Sequence, residues 1–509
     1  MATLKRSTNH FANWAHKFFL WPALFACFVW LISGFSHPLM TWIGPQPANF
    51  RAPVVKQIDY DAQTTSNLLA QTSQQSANLV KVIASENGAL LQATYEQNQP
   101  RQYFDLTTGA QVAEQDKQQA IWLAGYYSGL PAEQIEQVEF INEFSAEYPW
   151  VNRLLPVYRV SYSDDAGHIA FIYTETNTLA SLTNDTRIVL QSVFRALHTW
   201  NWLEFTGPFR VLIIGYLMLA LLAMSVSGLI YLINRSWRRM PAHNKLHRAS
   251  AYLVVIPLFM WSFSGFYHLL TAEYSPARAG LKLSTDLPKT PVSEQAMNLV
   301  LTQIQQSRQV NSLNLIAAPS NKNEQTKSSK TTPVLRLSYQ AEGAQQHKAL
   351  TKEDKYKGIS QEAKVVYFDG KTGQALTDFN DKQYAMWLAE QYSESATAAD
   401  AQIVRFFGMG YDFRNKRLPV WRVSLNDVDK TQLFIDSQSG VLADASTASS
   451  RLESLSFSML HKWNFLVPLT GRQVRDYFIV AFIFFSVVLT YFGLKLQLER
   501  MGIRKAKAR

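Results

Sequence analysis

His16 to His37 reads HKFFLWPALFACFVWLISGFSH, an apolar run with a histidine at each end, and His247 to His268 reads HRASAYLVVIPLFMWSFSGFYH. In both stretches the end histidines stand 21 positions apart, and Trp30/Trp261, Ser33/Ser264, Gly34/Gly265 and Phe35/Phe266 fall in the same register. At ~1.5 Å rise per residue such a run forms a helix of roughly 31 Å, enough to cross a ~30 Å hydrocarbon layer. At ~100° per residue its two histidines lie within about 60° of one face.

Two further apolar runs complete the pattern. The four are roughly Phe18 to Ile43, Val211 to Ile233, Ala251 to Leu270 and Tyr477 to Leu496. They explain how a 509-residue chain with 47 % hydrophobic and 13 % aromatic residues keeps a mean hydropathy near zero, since strongly polar segments must lie between them. The reading is a four-span membrane protein.

Basic residues orient the spans, because Lys and Arg near helix ends are retained in the cytoplasm. The link between the second and third spans carries Arg235, Arg238, Arg239, Lys245 and Arg248; the tail carries Arg500, Arg504, Lys505, Lys507 and Arg509; the N-terminus has Lys5, Arg6 and Lys17. Both termini are therefore expected in the cytoplasm and the two long segments outside. Much of the +10 net charge is topological and does not mark a nucleic-acid surface. The first span resembles a signal peptide in position, but its length and its mid-chain twin make it a retained helix. The lone cysteine, Cys27, lies in that span, which leaves the outer segments without a disulfide framework.

The expected division is 1–44 for the N-terminal stretch and first span, 45–205 for the first outer domain, 206–234 for the second span and 235–246 for a cytoplasmic loop. It continues with 247–272 for the third span, 273–474 for the second outer domain, 475–497 for the fourth span and 498–509 for a basic tail. Each outer segment reads as helix, hairpin, helix, hairpin; in the first, the opening helix runs from Asp61 to Ile83 and the second from Gln118 to Tyr127. YFDLTTG from Tyr103 matches YFDGKTG from Tyr367 at an offset of 264. LPVYRVS from Leu155 matches LPVWRVS from Leu418, and HTWNWL from His198 matches HKWNFL from His461, both at an offset of 263. The chain thus reads as a tandem duplication of span, outer domain and span. An insertion of about 32 residues is expected near the Ser/Lys/Asn/Thr-rich stretch 319–333.

A turn of form D-x-x-T/S-G recurs at Asp105, Asp369 and Asp436, with a worn fourth copy from Tyr173 to Asn177. Its Asp accepts from turn amides and its Gly supplies a left-handed residue; the alternative, a calcium loop, lacks the alternating acids that such loops use. Helix-plus-hairpin units ending in this turn, flanked by histidine-tipped spans, resemble the PepSY-associated transmembrane family of bacterial inner membranes. The resemblance implies an α+β membrane protein with four PepSY-like units. It also implies a role in iron acquisition, as in inner-membrane ferric-siderophore reductases that carry b-type haem.

Six of ten histidines sit at membrane borders in three matched pairs. Haem iron with two axial imidazoles needs neutral histidines on facing helices. His16 with His247 would hold one haem b at the cytoplasmic face and His37 with His268 a second at the outer face, where His198 or His461 are alternates. Their other reading is interfacial anchoring, and for His198 and His461 the H-x-W-N-[WF]-L context fits an anchor and cap equally well. Gly34 and Gly265 admit either a flat macrocycle or close helix packing, and Trp30 and Trp261 either core packing or an electron path. His10, His168, His243 and His347 have no matched partner and read as surface residues.

Nothing in the chain resembles a nucleotide loop, a dinucleotide fingerprint or a hydrolase elbow. The chain would therefore need an outside electron donor. Together with the histidine pairs, the resemblance implies electron transfer from quinol or a cytoplasmic donor, through haem, to a ferric siderophore or other ferric chelate outside. Arg159 and Arg422 read as part of a solvated strand face, with attraction of an anionic complex as the alternative. The rival expectation is a non-catalytic module that binds or regulates a partner protein. Membrane lipid is implied as surroundings, and a homodimer is left open.

Overall fold

The computed structural model describes residues 2–55, 58–234, 242–274, 282, 287–288, 290–305, 310–319, 331–340, 358, 363–393, 395–408 and 410–502. Arg235, Arg238, Arg239, Arg504, Lys505, Lys507, Arg509, His347, the side chains of Lys5, Arg6 and His243, and 320–330 of the expected insertion lie outside the described residues. The chain divides into two compact units, one made of 1–44, 186–276 and 449–509, the other of 45–185 and 277–448.

The first unit is helical. Helix α1 (Ala2–Phe18) runs into α2 (Leu20–Ile43) with only Phe19 between them. Numbering by chain position, the unit adds α5 (Asp185–Phe194), which starts at the boundary, then α6 (Pro208–Asn234), α7 (Ala242–Tyr274), α10 (Ala448–Ser456) and α11 (Val467–Arg500). Four helices are long and apolar enough to cross a membrane: Leu20–Ile43, Pro208–Asn234, Lys245–Thr271 and Asn464–Arg500. Both α6 and α11 pack against α2 and against α7, so the four form a ring in which the two histidine-tipped helices are not sequential neighbours. Fully buried Ala220, Ser33, Ser227 and Ser264 let the backbones approach, as small residues do in membranes.

The second unit is α+β. Its first half runs α3 (Ala62–Gln74), β1 (Leu79–Ser85), β2 (Gly88–Thr94), β3 (Gln102–Asp105), α4 (Gln115–Ser128), β4 (Ile135–Ile141), β5 (Val157–Tyr162), β6 (Ile169–Tyr173) and β7 (Thr178–Thr183). The second half runs α8 (Glu294–Gln305), β8 (Val310–Pro319), β9 (Thr331–Gln340), β10 (Ala363–Asp369), α9 (Asp381–Tyr392), β11 (Ala398–Val404), β12 (Val420–Leu425), β13 (Gln432–Asp436) and β14 (Val441–Ser446).

Three expectations are corrected here. The helix expected from Asp61 to Ile83 ends at Gln74, and Leu79 to Ser85 is a strand, buried at six consecutive positions. A strand covered on both faces lacks the alternation that marks a half-exposed one, which is why it was not separable by pattern. The link before Leu155 holds strand β4, so each half is helix, three strands, helix, four strands. The two segments expected as separate domains also share one antiparallel sheet of order β10-β9-β8-β1-β2-β3, joined where Val80, Lys81 and Val82 pair with Leu315, Asn314 and Leu313. Residues 186–205 and 449–474, expected with those domains, belong to the helical unit.

Leu68 and Leu69 of α3 and Met297, Val300 and Leu301 of α8 cover one face of the six-stranded sheet with Val80, Val82, Leu313 and Leu315. Helix α4 packs on sheet β4-β5-β6-β7 and α9 on β11-β12-β13-β14. Buried polar pairs recur in both halves. Tyr103 donates to Asp116 at 2.8 Å, and Tyr367 donates to Asp381, which Arg336 also grips at 2.9 Å.

The recurrent turns are held as expected. Asp105 Oδ1 accepts from the Thr107 and Thr108 amides at 2.9 and 2.7 Å, and Asp369 Oδ1 from those of Lys371 and Thr372 at 2.8 and 2.9 Å. The Thr108 amide in particular holds the Asp105 carboxyl below its usual range. Gly373 has φ 73°, and a Cβ there would lie 2.7 Å from Ala296 Cα on α8. Gly373→Ala is expected to cost roughly 1–3 kcal/mol, since strain and overlap coincide; thermal unfolding followed by circular dichroism measures it.

Candidate functional site

Helix α5 widens into a π-helical turn, Arg195–Thr199, and α10 into another, Phe457–His461. Such wide turns hold one extra residue and often occur at functional sites. Each presents a histidine, His198 or His461, and soon after it a tryptophan in the left-handed region, Trp200 at φ 53° and Trp463 at φ 51°. Bulky residues rarely adopt that conformation. Here the indoles offset it: Trp200 Nε1 donates to Leu197 O at 2.7 Å and Trp463 Nε1 to Leu460 O at 3.0 Å. Trp200 is 7 % exposed and Trp463 4 %, with rings against Trp30 and Trp261. These tryptophans are core, not interfacial anchors.

The two turns bring His198 and His461 together, ring centroids 6.1 Å apart and planes at 81°. On the far side of each lies a stacked phenylalanine and then another histidine. His37 lies 5.8 Å from Phe194, which stacks on His198 at 4.6 Å; His268 stacks on Phe457 at 4.3 Å, which stacks on His461 at 4.5 Å. The pair His37 and His268 therefore stands at the two ends of a six-ring ladder whose centre is His198 and His461.

At the other end of the bundle, His16 and His247 rest on different neighbours. His16 Nδ1 lies 3.1 Å from Ser227 Oγ on α6, with Tyr231 against the ring. His247 Nδ1 donates to Leu489 O on α11 at 3.3 Å, beside Gly493, where a Cβ would come within 3.2 Å of the imidazole.

Hydrogen bonding assigns the tautomers. Leu489 O can only accept, so His247 carries its proton on Nδ1. The same holds for His268, whose Nδ1 faces Glu453 Oε1 at 2.5 Å. Three serines make the remaining contacts: Ser227 with His16, Ser33 with His198 at 3.0 Å and Ser264 with His461 at 3.3 Å. Each spends its own proton on a backbone carbonyl, Ser227 on Met224 O, Ser33 on Trp30 O and Ser264 on Met260 O. Each hydroxyl oxygen can then accept from the histidine. Five of the six histidines thus have Nδ1 engaged by a neighbouring side chain or carbonyl, which orients the ring.

Among the described residues no three His, Cys, Asp or Glu side chains converge, so a bare ion finds no full protein ligand set. A porphyrin supplies four equatorial nitrogens and asks the protein only for axial imidazoles. Imidazoles are the only such donors these six positions offer.

The glycines read as admitting either a macrocycle or close helix packing both lie against neighbouring side chains. A Cβ on Gly265 would lie 3.1 Å from Met218 Cε and one on Gly34 3.8 Å from Ile483 Cδ1. Arg159 is paired with Glu147 at 2.7 Å, and Arg422 donates to Gln402, so the alternative anionic-complex role finds no free cation at Arg159. His168 is tied to Asp164 at 2.7 Å. Sequence reading missed Glu453, the serine acceptors and the phenylalanine rungs. The rungs had a signal, since F-x-x-L-H-x-W-N occurs at both Phe194 and Phe457.

No protein-family model matches the chain, and no curated protein matches it.

Proposed function

We propose that this chain is a tandemly duplicated, PepSY-like electron-transfer protein of a bacterial inner membrane, with cytoplasmic termini. In this reading it carries b-type haem and reduces a ferric chelate, such as a ferric siderophore, in the periplasm. The observation that carries the reading is a shared second contact: five border histidines each have Nδ1 held by a serine, carbonyl or carboxylate, which orients the ring as an axial ligand is oriented. Anchoring at a membrane surface requires no such second contact. His16 and His247 would hold an inner haem; for an outer one the candidate ligands are His37, His268, His198 and His461, of which the ladder brings His198 and His461 ring to ring.

Haem bound there would supply one-electron chemistry that no side chain of the chain offers. The residues do the rest. Nδ1 partners fix each imidazole, Trp30, Trp200, Trp261 and Trp463 exclude water, and the Phe194 and Phe457 rings close the gaps between histidines. An electron from quinol or another donor of that class converts a bound ferric chelate to the ferrous form, which ligands built for the hard ferric ion hold less well. The likeness of the two halves supports the duplication: each has the same element order, a D-turn, a Tyr–Asp bond and a π turn before a left-handed Trp.

The absorption spectrum of the purified protein, expressed with ample haem, tests the reading. A Soret band that sharpens on reduction, and α bands that bleach when a ferric chelate is added, are expected. A chain with no Soret band would instead be a non-catalytic membrane module.

A further inference from the structure

We propose that Glu453 is a positioning residue that makes the two halves of the histidine ladder electronically unequal by acting on His268 alone. The inference rests on the haem reading above.

Glu453 is 8 % exposed on α10, one turn before the π turn, and its Oε1 takes the Nδ1 proton of His268 at 2.5 Å. Its other oxygen accepts from Ser454 Oγ at 3.3 Å. The His268 side chain is 46 % exposed against 11 % for Glu453, so the carboxylate grips a ring that still has an open edge. The first half does not repeat this. Glu453 stands eight positions before His461, and the residue eight positions before His198 is Leu190, which has no acceptor. Among the described residues no carboxylate pairs with His37. The Nδ1 atoms of His16, His198, His247 and His461 face a serine hydroxyl or a carbonyl.

A charged acceptor makes a shorter, stronger bond than a neutral one, and a carboxylate behind a ligating histidine raises its basicity toward the metal. A more basic axial ligand favours ferric over ferrous iron. The haem that His268 serves is thereby set to the lower reduction potential. A low-potential donor is what a ferric chelate demands, because tight ferric binding pushes the chelate's own potential down. The duplication supplies two matched halves, and Glu453 directs the driving force to one of them.

Spectroelectrochemical titration of the full-length protein and of Glu453→Gln tests this, with haem content measured in parallel. The glutamine keeps an acceptor and removes the charge. Its expected effect is an upward shift of one haem midpoint, the one belonging to the haem that His268→Ala removes, with the other midpoint unmoved. Loss of that same haem from Glu453→Gln, with its return in Glu453→Asp, also supports the assignment. Unchanged midpoints at full haem content overturn it, as does an equal shift of both. A wild-type protein that binds no haem overturns the underlying reading, and its spectrum distinguishes that failure from a failure of the Glu453 assignment.

Discussion

On the two-haem reading proposed above, replacing His16 or His247 with alanine will remove one haem and leave the other, so each variant should retain about half of the wild-type Soret absorbance per protein. The expectation follows from where the two side chains sit. His16 is braced by Ser227 and His247 by Leu489 O, on the two helices that separate α1–α2 from α7. Both therefore present Nε2 from fixed rings at the end of the bundle opposite the ladder. Neither imidazole fills a large share of the core, so the helices will still assemble, and loss of colour will report ligation and not unfolding. Pyridine haemochrome content and circular dichroism, measured on the same sample, separate the two. If both variants keep two haems, His16 and His247 are not an axial pair.

Replacing Glu175 with glutamine will destabilise the α+β unit by about 3–5 kcal/mol, the cost of leaving buried cations unpaired. Glu175 is 1 % exposed in the turn after β6. Its carboxylate holds Lys81 Nζ of β1 at 2.6 Å and the Arg417 guanidinium ahead of β12. Arg417 reaches on to Asp436 at 2.8 Å, so the acid sits between cations contributed by both halves of the chain. Without it, Lys81 and Arg417 share one carboxylate in a dry interior. The glutamine is nearly isosteric, so packing cannot account for the loss.

The same residue sets an acid limit. Burial alone would push the Glu175 carboxyl up, but Arg417 and Lys81 outweigh it and hold the group well below the usual carboxylate range. A folded-state pKa below the unfolded value, ~4.3, adds stability that is complete above about pH 5 and is lost as pH falls from there. Melting temperatures taken from pH 7 downward should fall below pH 5 in the wild type and fall less steeply in the glutamine variant. Parallel slopes would remove Glu175 from the account.

Much of this was legible because it is local. A segment's solvent decides its composition, so helices long and apolar enough to cross a membrane show as apolar runs, and all four were found that way. The D-x-x-T/S-G turns were legible too, since Asp105 bonds to amides two and three residues on. β1 was not, because a strand buried on both faces loses its alternation. Lys81 inside it reads as a solvent signal until Glu175, 94 positions away, is seen to neutralise it.

The repeated histidine register, the four spans and the turns were determined by the amino-acid sequence alone, for each follows from spacing within a few tens of residues. Only the tertiary structure decided that β1 and β8 would join two segments into one sheet, and that His198 and His461 would meet at the centre of a ring ladder. The structure also showed His268 bound to the carboxylate of Glu453. Those facts depend on which surfaces complement one another across some two hundred positions, and no local periodicity encodes that choice. His16 to His37 announces a helix with two histidines; what each nitrogen holds is decided by the helices beside it.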